Sequence, residues 1–476
     1  MHKRKSFIYF LSMIATLSVF VLFSNWFLKH EKIDLMPTLA SLIVTILALL
    51  IIPKTSESLE RIFFIDKSEI ITGNYIPPFL DGKLTFFVGV ITLVWVFIVN
   101  IAVIIFARKN GVGLDFQESL ENLMTFYLRA DKYLFVSENW YNTEFLDDYK
   151  SVFPLYSIIL GICKKLGAPY LLGMIFNSLL AVLSGLLIFQ LTIFDYEDQV
   201  GLKSLIYFLF FPSNFFLILP LHLGLFFFLS LLYVFLVRRR NWLLSFFVGY
   251  LAGLTDPYAI ILFFFALIEF ISMLREETAD KRIDEAYIDI DKPPIFFIEK
   301  LVDMKFYLNY GLKALTLLGI PFSILFFALL NKKTHLANLN IISDFEKYIN
   351  GEKSYFFSNA FSLAYDFARK TNPLPNISEG SLLPTMCMMI FILLILLFGA
   401  NKIRASYLIY SLIYFFVIYG ADNVFASNKY SVMIFPIIFI SAYSADNVIK
   451  GVILGVIYFV FSFLYFLSFL NGYPVY

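Results

Sequence analysis

The chain is organised around a polar stretch at residues 108–156, which reads RKNGVGLDFQESLENLMTFYLRADKYLFVSENWYNTEFLDDYKSVFPLY. It separates two apolar regions and carries many acids: Asp115, Glu118, Glu121, Asp131, Glu138, Glu144, Asp147 and Asp148. It also carries the aromatic side chains of Tyr127, Tyr133, Trp140, Tyr141 and Tyr149. A much shorter loop would join two apolar segments, so this composition indicates a site at a membrane surface. Two plainer interpretations stay open, because the acids can simply solvate a loop and the aromatics can form an interfacial belt.

The composition of the whole chain indicates a membrane protein. Of its 476 residues, 60% are hydrophobic and only 15% are charged, and the mean hydropathy is +0.79. Soluble domains are nearer half apolar and a quarter charged. The apolar runs are roughly 17–25 residues long, as transmembrane helices are. We therefore predict an all-α fold, a polytopic transmembrane helical bundle.

The small net charge and the few histidines exclude other classes of protein. The net charge is +1 and no large basic patch is present, which argues against a nucleic-acid partner. Four histidines without clustered spacing argue against a zinc site. We predict no metal site, no fixed cofactor, and a bilayer as the surrounding medium, with a divalent cation and the oligomeric state left open.

The apolar runs predict about eleven full spans plus a broken pair, or about 11–13 membrane segments. Predicted single spans include residues 84–107, 169–194, 202–220, 405–420 and 431–445.

The chain divides into an N-terminal addition and a main bundle. Residues 1–83 hold two added transmembrane helices and a connector, and residues 84–476 hold the main transmembrane domain. The basic N-terminus is expected inside. Three crossings then place the outer loop 108–167 outside, together with the loop 331–382 and the C-terminus.

Two segments are predicted to depart from simple spanning helices. Residues 152–166 are too short to span comfortably, so we expect them along the outer interface. This keeps the basic triplet 238–240 on the inner side, as the positive-inside rule requires. Residues 242–273 are broken at Asp256-Pro257, because proline disfavours helix at the residue before it. We predict two half-helices that return to the same side.

A carboxylate and a cation beside a bilayer suit glycosyl transfer from a lipid-linked phosphate sugar. The carboxylate takes the proton of the attacking hydroxyl, and the cation neutralises charge on the leaving phosphate. Asp131 and Glu138 are seven residues apart, about 10 Å on a helix, and Lys429 is expected on the same side. The chain has no GxxxxGK[ST] or GxGxxG motif for a soluble nucleotide.

Four short motifs resemble, in the same order, those of GT-C glycosyltransferases of the GPI-mannosyltransferase-2 (PIG-V) type. DKYLFVSENWY and then FPLY resemble the family's outer-loop pattern W-D-x-x-x-Y-x-x-I-A-x-x-G-Y followed by F-F-P-L-Y-P. FPSNFFL resembles F-P-x-S-x-F-F. The run from LFFFLSLL through RRRNWLL to LTDP resembles L-F-x-L-L-S…R-R-R-x-W…L-T-R-P. NKYSVMIFP is similar to R-Y-x-x-x-x-F-P, and the resemblance covers about residues 84–445.

The resemblance implies a GT-C-like fold and an inverting glycosyltransferase, mannosyltransferase-like. Such an enzyme moves a hexose from a polyprenyl-phosphate sugar to a lipid- or protein-linked acceptor on the extracytoplasmic face. It would be an integral multi-pass protein of the cell membrane in a prokaryote, or of the endoplasmic reticulum membrane in a eukaryote. The alternatives are a non-catalytic relative that acts as a membrane scaffold, and a lipid or solute transporter.

The implied site has one base and several substrate-binding side chains. Asp131 is expected to act as the base. The substrate-binding set is Lys429, Glu138, Tyr133, Tyr156, His222 and Asp256.

The chain departs from the family pattern at four positions. Arg129 stands where the family has its acid, and Gly224, beside His222, stands where the family has a second acid. Asp256 replaces the arginine of T-R-P, and Lys429 replaces the arginine of R-Y, which keeps the charge but loses the bidentate fork. The resemblance therefore implies the fold more strongly than the identity of the residues that act on the substrate.

Overall fold

The computed structural model describes residues 50–51, 54–55, 82–110, 116–141, 152–196, 198–286, 304–330, 379–420 and 428–470. Within these ranges the chain is helical and contains no strand, which confirms the all-α prediction. Almost all of the two predicted N-terminal spans and most of the predicted loop 331–382 lie outside the described residues.

The helices are numbered here in chain order over the described residues. They are α1 Gly82–Asn110, α2 Phe116–Asn122, α3 Asp131–Asn139, α4 Pro154–Lys165, α5 Pro169–Asp195, α6 Asp198–Leu209, α7 His222–Arg238, α8 Trp242–Gly253, α9 Ile260–Ala286, α10 Met304–Leu315, α11 Gly319–Leu330, α12 Glu379–Gly399, α13 Ala405–Gly420, α14 Pro436–Ser444 and α15 Val448–Leu470. Short turns of tighter or wider helix connect some of them, including Leu123–Tyr127, Asn214–Leu217, Pro257–Ala259 and Asn428–Met433. Proline opens α4, α5 and α14, where its missing N–H removes no hydrogen bond from the helix.

Five segments of the described chain are long and apolar enough to cross a membrane. They are Gly82–Arg108, Pro169–Asp195, Pro257–Leu274, Tyr310–Leu330 and Val448–Leu470. Large apolar side chains face outward from them, and Phe86 and Leu329 are each 74% exposed. Apolar surface of this extent is unfavourable in water, so the bundle is compatible with a membrane protein.

The prediction of about eleven full-length spans is met only in part by the described residues. Three predicted spans are apolar helices of fewer than 18 residues, namely His222–Arg238, Met388–Lys402 and Ala405–Tyr419. The helix Trp242–Gly253 is also short, in a segment that was predicted to be a pair of half-helices. The start and end of Ala405–Gly420 agree with the predicted span 405–420.

The helix α7 joins two polar clusters that mark the ends of the bundle. Its first residue, His222, belongs to what we call the His cluster, which consists of Tyr133, His222, Asp256 and Tyr430. Its last residue, Arg238, belongs to the Arg cluster, which consists of Asp195, Arg238, Glu269, Arg404 and Ser406. Sixteen residues of helix separate the two clusters by about 24 Å. We refer to the two ends of the bundle as the His end and the Arg end.

The segment 242–273 forms a helical hairpin, as the Asp256-Pro257 break predicts. The helix α8 ends at Gly253, and α9 begins at Ile260 after a turn through Asp256. The two arms meet again at the Arg end, where Trp242 Nε1 lies 3.2 Å from Met273 Sδ. The first arm, α8, is short, as predicted, with 12 residues. The prediction of a half-length second arm is wrong, because the segment Pro257–Leu274 is long and apolar enough to cross a membrane.

A close approach of backbones fixes the hairpin against α11. A Cβ atom on Gly319 would overlap the carbonyl oxygen of Phe246, and a Cβ atom on Gly253 would overlap the hydroxyl of Ser323. Small residues at such positions let apolar helices pack by van der Waals contact, which is the main source of helix association in lipid.

Two predicted single spans, 202–220 and 431–445, are helices for only part of their length. The helix α6 stops at Leu209, before Pro212, and the buried chain reaches the His end through the turn Asn214–Leu217. The helix α14 begins only at Pro436, after the turn Asn428–Met433. Proline lacks an N–H and disfavours helix before it. Irregular backbone at this depth is tolerated because protein surrounds it.

One side chain satisfies the irregular backbone before α7. Asn177 Nδ2 donates to the carbonyl of Leu221 at 2.9 Å and also to the carbonyl of Leu219. The same Nδ2 lies 3.2 Å from the hydroxyl of Tyr156. This amide therefore holds the chain just before His222 and the ring of Tyr156 in place together.

The helix α4 does not cross the bundle. It has 12 residues, or about 18 Å of helix, and it packs against α3 and the first turns of α5 at the His end. This agrees with the prediction that residues 152–166 do not span.

The described parts of the predicted outer elements share the His end, opposite the basic triplet 238–240. Residues 116–141 lie there, since Tyr133 contacts His222. Phe469, near the end of α15, packs on Phe106 and Phe215 at the same end. Residues 116–141 and the end of α15 therefore lie at the same end of the bundle, as predicted, and their assignment to the outer face of a membrane stays a prediction.

Candidate functional site

His222 is the centre of a hydrogen-bonded network at the His end. Its Nε2 lies 2.7 Å from Asp256 Oδ2, and its Nδ1 lies 2.5 Å from the hydroxyl of Tyr133. The carboxylate can only accept, so Nε2 carries the hydrogen and Nδ1 of the neutral ring accepts from Tyr133. The hydroxyl of Tyr430 donates to Asp256 Oδ2 at 3.1 Å. The network therefore fixes the ring orientations of two tyrosines through one imidazole.

The break in the hairpin positions Asp256. Its backbone is extended, with φ −156° and ψ 140°, as a residue before proline prefers. Its Oδ1 accepts from the backbone N–H of Tyr258 at 2.8 Å and caps the turn that begins α9. Its side chain is only 2% exposed. Both carboxylate oxygens are therefore engaged within the protein, which makes Asp256 an organising residue of the cluster.

Two lysines flank the network. Lys132 Nζ lies 5.2 Å from the ring centroid of Tyr133, and Lys429 Nζ lies 5.8 Å from that of Tyr430. These distances suit cation–π contact. Among the described residues neither lysine forms an ion pair. The site therefore presents two cations beside one organised carboxylate, Asp256.

Burial lowers the pKa of both lysines. For Lys429, burial and repulsion from Lys132 outweigh attraction to Asp256 and bring the pKa down to about 8. Burial is also the main cause of the lowered pKa of Lys132, with repulsion from Arg129 adding to it. At pH 7 Lys429 still carries its charge in about nine molecules of ten. A bound anion would offset the mutual repulsion of the two cations.

Tyr133 and Tyr156 form a buried aromatic pair behind the lysines. Their ring centroids are 5.1 Å apart at an interplanar angle of 82°. Burial, with the charge of Asp256, raises the pKa of Tyr133, which keeps it a neutral hydroxyl donor to His222. Tyr156 is completely buried. We therefore assign Tyr156 to positioning Tyr133, whereas the sequence suggested that it contacts substrate.

Asp131 lies beside the cluster without joining it. It is the first residue of α3, and its Oδ1 is buried with no hydrogen-bond partner in the described part of the chain. Lys132, the next residue, lies within electrostatic range of both Asp131 and Asp256. An unengaged carboxylate oxygen is available to accept a proton from a ligand hydroxyl.

The structure does not bring Glu138 to the cluster. It pairs with Lys164 on the outer surface of α3 and α4, and each of the two side chains is about half exposed. Seven residues of helix separate it from Asp131, as predicted, but the two carboxylates do not share a site. Its expected role in substrate binding is not supported by this position.

Sequence reasoning missed Lys132, Asn177 and Tyr430 as members of the site. Lys132 and Tyr430 are immediate neighbours of residues that were singled out, Asp131, Tyr133 and Lys429. The third residue, Asn177, could have been found because it is a polar side chain within an apolar run.

No group of three potential metal ligands from His, Cys, Asp and Glu is present among the described residues. No protein-family model matches the chain, and no curated protein or solved structure is significantly similar to it. The function therefore has to be argued from the site itself.

Proposed function

We propose that the protein is an integral, multi-pass membrane glycosyltransferase that takes a hexose from a polyprenyl-phosphate sugar, with the His end as its site. One observation carries the proposal. Lys132 and Lys429, two cations without an ion pair in the described chain, stand beside an organised carboxylate and next to Asp131, whose Oδ1 is unengaged. This combination suits a phosphate group and a hydroxyl nucleophile, and it lies at the end of an apolar bundle.

The charges of the site suit a lipid-phosphate sugar. Lys132, Lys429 and the neighbouring Arg129 carry three positive charges, and Asp131 and Asp256 carry two negative ones, so the net charge is +1, whereas the donor phosphodiester carries −1. When the bond to the sugar breaks, the leaving phosphate gains a second negative charge. Donors placed where charge develops are usually the largest contribution to such catalysis. Lys429 is assigned to that phosphate, and Lys132 is its nearest cationic neighbour.

Asp131 is assigned the role of general base. As the acceptor hydroxyl attacks the anomeric carbon, a new carbon–oxygen bond forms and the bond from that carbon to the phosphate oxygen breaks. The hydroxyl proton passes to Asp131, and the electron pair of the broken bond passes to the phosphate. A single displacement of this kind inverts the anomeric centre. No nucleotide takes part.

His222 and Asp256 are assigned to positioning. His222 Nδ1 accepts from Tyr133. Asp256, which accepts from His222 Nε2, also accepts from Tyr430. Each tyrosine is the chain neighbour of a lysine and lies beneath its ammonium group. The network thereby sets the separation of the two cations without contact with the reacting atoms.

The test is a transfer assay on purified protein in lipid nanodiscs, with a panel of polyprenyl-phosphate sugars and lipid-linked acceptors. Asp131→Asn keeps the shape of the side chain and removes its basicity, so transfer is expected to fall about 100- to 10,000-fold. Glu138→Gln is the matched control, because it removes a carboxylate of the same helix that is paired at the surface. It should leave the rate unchanged.

Two outcomes would contradict the proposal. If Asp131→Asn transferred sugar as fast as the native protein, Asp131 would not be the general base. Absence of transfer with every donor, from protein that remains folded, would favour the non-catalytic scaffold.

A further inference from the structure

Two lysines from separate parts of the chain contact the turn that joins α14 to α15. Lys402 Nζ lies 3.0 Å from Ser444 Oγ, and Lys203 Nζ of α6 lies 2.5 Å from the carbonyl oxygen of Ala445. Lys402 stands two residues before Arg404, so this turn lies at the Arg end, beside the Arg cluster. Two ammonium groups therefore meet at adjacent residues of one turn.

A third lysine completes what we call the Lys cluster, which consists of Lys203, Lys402 and Lys450. Lys450 Nζ lies 3.0 Å from Oδ2 of Asp446, the next residue of the turn. Among the described residues this is the only carboxylate at ion-pair distance from any of the three lysines. The Lys cluster and Asp446 together therefore carry a net charge of +2.

The Lys cluster is accessible from outside the bundle. Lys402 is exposed, and the side chains of Lys450 and Asp446 are 55% and 65% exposed. Each ammonium group carries three N–H donors, and the contacts with the turn leave at least one donor of each lysine unused. An anion can therefore bind the cluster while the lysines keep their contacts with the turn.

The capping of a helix does not account for the whole cluster. The contact between Lys203 and the carbonyl of Ala445 stabilises the end of α14, as cations do near a helix C-terminus. Lys402 and Lys450, however, contact side chains and leave the backbone of the turn alone. Three lysines at one turn are therefore more than the end of α14 requires.

An exposed apolar surface extends from the Lys cluster along α6 and α15. The two helices leave the turn side by side, since Tyr207 Oη donates to the carbonyl of Gly451 at 3.1 Å and the ring centroids of Phe210 and Phe459 are 5.3 Å apart. The exposed apolar side chains along them include Ile206, Val448, Val452 and Val456. A cationic site at the end of an apolar surface suits a ligand that has a phosphate and acyl chains.

The predicted orientation of the bundle also favours a lipid as the ligand. The basic triplet 238–240 assigns the Arg end to the cytoplasmic side. The cytoplasmic leaflet carries anionic lipids, and basic pockets between helices on that side bind their headgroups. A soluble anion would make no use of the apolar surface beside the cluster.

We propose that the Lys cluster binds the phosphate of one anionic phospholipid, whose acyl chains lie along the exposed apolar surface of α6 and α15. The headgroup accepts hydrogen bonds from lysines of three elements and so joins α6, α15 and the segment before α13. The binding is noncovalent. The proposal is independent of sugar transfer.

The experiment measures the binding of a fluorescent phosphatidylglycerol to the purified protein in neutral detergent micelles. Unlabelled phosphatidylglycerol should displace the probe at a concentration at least tenfold lower than phosphatidylcholine, whose headgroup has no net charge. Glycerol phosphate carries the same anionic group without acyl chains, and it should not displace the probe at that concentration.

One variant combines Lys402→Gln with Lys450→Gln, because both side chains are exposed and their removal should not prevent folding. Its affinity for phosphatidylglycerol should fall about 25-fold, since each basic side chain beside an anionic lipid contributes about a factor of five. The matched control combines Lys164→Gln with Lys165→Gln, which removes two exposed lysines of α4 at the His end. The control should keep the native affinity.

Asp446→Asn should change the affinity in the opposite direction. It removes the only carboxylate that competes for Lys450 in the described chain, so the affinity for phosphatidylglycerol should rise about fivefold. No rise in this variant would contradict the assignment of the lysines to the headgroup.

Three further outcomes would overturn the proposal. Equal displacement by phosphatidylglycerol and phosphatidylcholine would leave the lysines with a structural role only. Displacement by glycerol phosphate as effective as that by the lipid would assign the cluster to soluble anions. A loss of affinity in the Lys164→Gln and Lys165→Gln control as large as that in the test variant would show a general effect of net charge.

Discussion

The Arg end and the His end of the bundle both hold buried charge, but the partners of that charge differ. At the Arg end, Glu269 contacts Arg238 and Arg404 and accepts from the hydroxyl of Ser406. At the His end, Asp256 accepts from neutral partners and the two nearby lysines have no carboxylate at ion-pair distance in the described chain. Compensated charge suits the joining of helices, whereas an excess of cations suits the binding of an anion.

The pairing at the Arg end also joins segments that are far apart in the chain. Arg238 ends α7, Glu269 lies on α9 and Arg404 immediately precedes α13. Asp195, the last residue of α5, makes a further ion pair with Arg238. The cluster thus ties together segments that are far apart in sequence, whereas elsewhere apolar packing is accompanied by neutral hydrogen bonds such as those between Asn100 and Ser178 and between Ser213 and Ser431.

The largest expected effect on stability is therefore at the Arg end. Glu269→Gln would leave Arg238 and Arg404 facing a neutral side chain, and removing one partner of a buried ion pair commonly costs about 3–5 kcal/mol. Chemical unfolding in mixed micelles measures the loss. The sugar-transfer rate per folded molecule should change little, since the cluster lies about 24 Å from the His end.

Asp446→Asn is the control for that measurement. Asp446 pairs with Lys450 one turn away on the exposed surface, so its removal should leave the unfolding curve unchanged. If Glu269→Gln unfolds like Asp446→Asn, the structural role assigned to the Arg cluster is wrong.

The next effect, on activity, belongs to the His end. Asp256→Asn keeps an oxygen for the turn but cannot hold His222 as a carboxylate does, so the two tyrosines lose their fixed orientation. We expect a fall in transfer of about 100-fold, or about 2.7 kcal/mol in transition-state stabilisation. The change in unfolding free energy should be smaller than for Glu269→Gln. If Asp256→Asn lost much stability but kept its transfer rate per folded molecule, the His end would have a structural role and not the assigned role in transfer.

A third prediction uses the pKa of Lys429 near 8. Phosphate binding requires the ammonium form, so transfer should fall as the pH rises through about 8, reaching roughly a tenfold loss one pH unit above. Lys429→Arg should move this fall to higher pH, and Lys429→Ala should raise the KM for the donor more than that for the acceptor. A fall near pH 8 that persists in Lys429→Arg would assign it to another group.

The same pKa fixes the sign of a stability change. The folded state holds the Lys429 proton less tightly than the unfolded chain, whose lysines titrate near 10.4. Between about pH 8 and pH 10.4 the unfolded state binds more protons, so the contribution of Lys429 to the free energy of unfolding rises with pH. Comparison of native protein with Lys429→Gln isolates that contribution. A contribution that falls over this interval would contradict the lowered pKa.

The smallest effect is expected at the surface of α3. Glu138 and Lys164 are each about half exposed, and exposed pairs contribute roughly 0–1 kcal/mol. Glu138→Gln should change neither transfer nor unfolding measurably. A clear loss of transfer in this variant would bring Glu138 back into the site and remove the contrast with Asp131.

Much of the fold was predictable because local patterns determine it. The apolar run at 405–420 coincides with α13, and the Asp256-Pro257 break coincides with the turn of the hairpin. Proline also explains where the prediction was wrong, since α6 stops before Pro212 and α14 starts only at Pro436. Hydrophobicity alone does not reveal such stops, because buried irregular chain is as apolar as helix.

Individual residues of the site were predictable from the sequence, but their grouping in space was not. Polar residues within or beside apolar runs are costly, which singled out His222, Asp256 and Lys429. Their grouping was not accessible from spacing, because Tyr133 and Tyr430 lie 89 and 208 residues from His222. Charge alone also failed to separate Asp131 from Glu138, which belong to the same short helix.

The sequence by itself determined that the chain is a helical bundle with membrane-length segments and where its hairpin turns, because apolar periodicity and proline act within a few residues. Only the tertiary structure decided which acidic side chains form hydrogen bonds or ion pairs. It also decided which lysines have no carboxylate at ion-pair distance in the described chain. That outcome depends on how the ends of α3, α7 and α9 and the turn before α14 meet in space. A hydrogen bond forms only when two groups lie within about 3 Å, and no local pattern specifies such a distance between residues far apart in the chain.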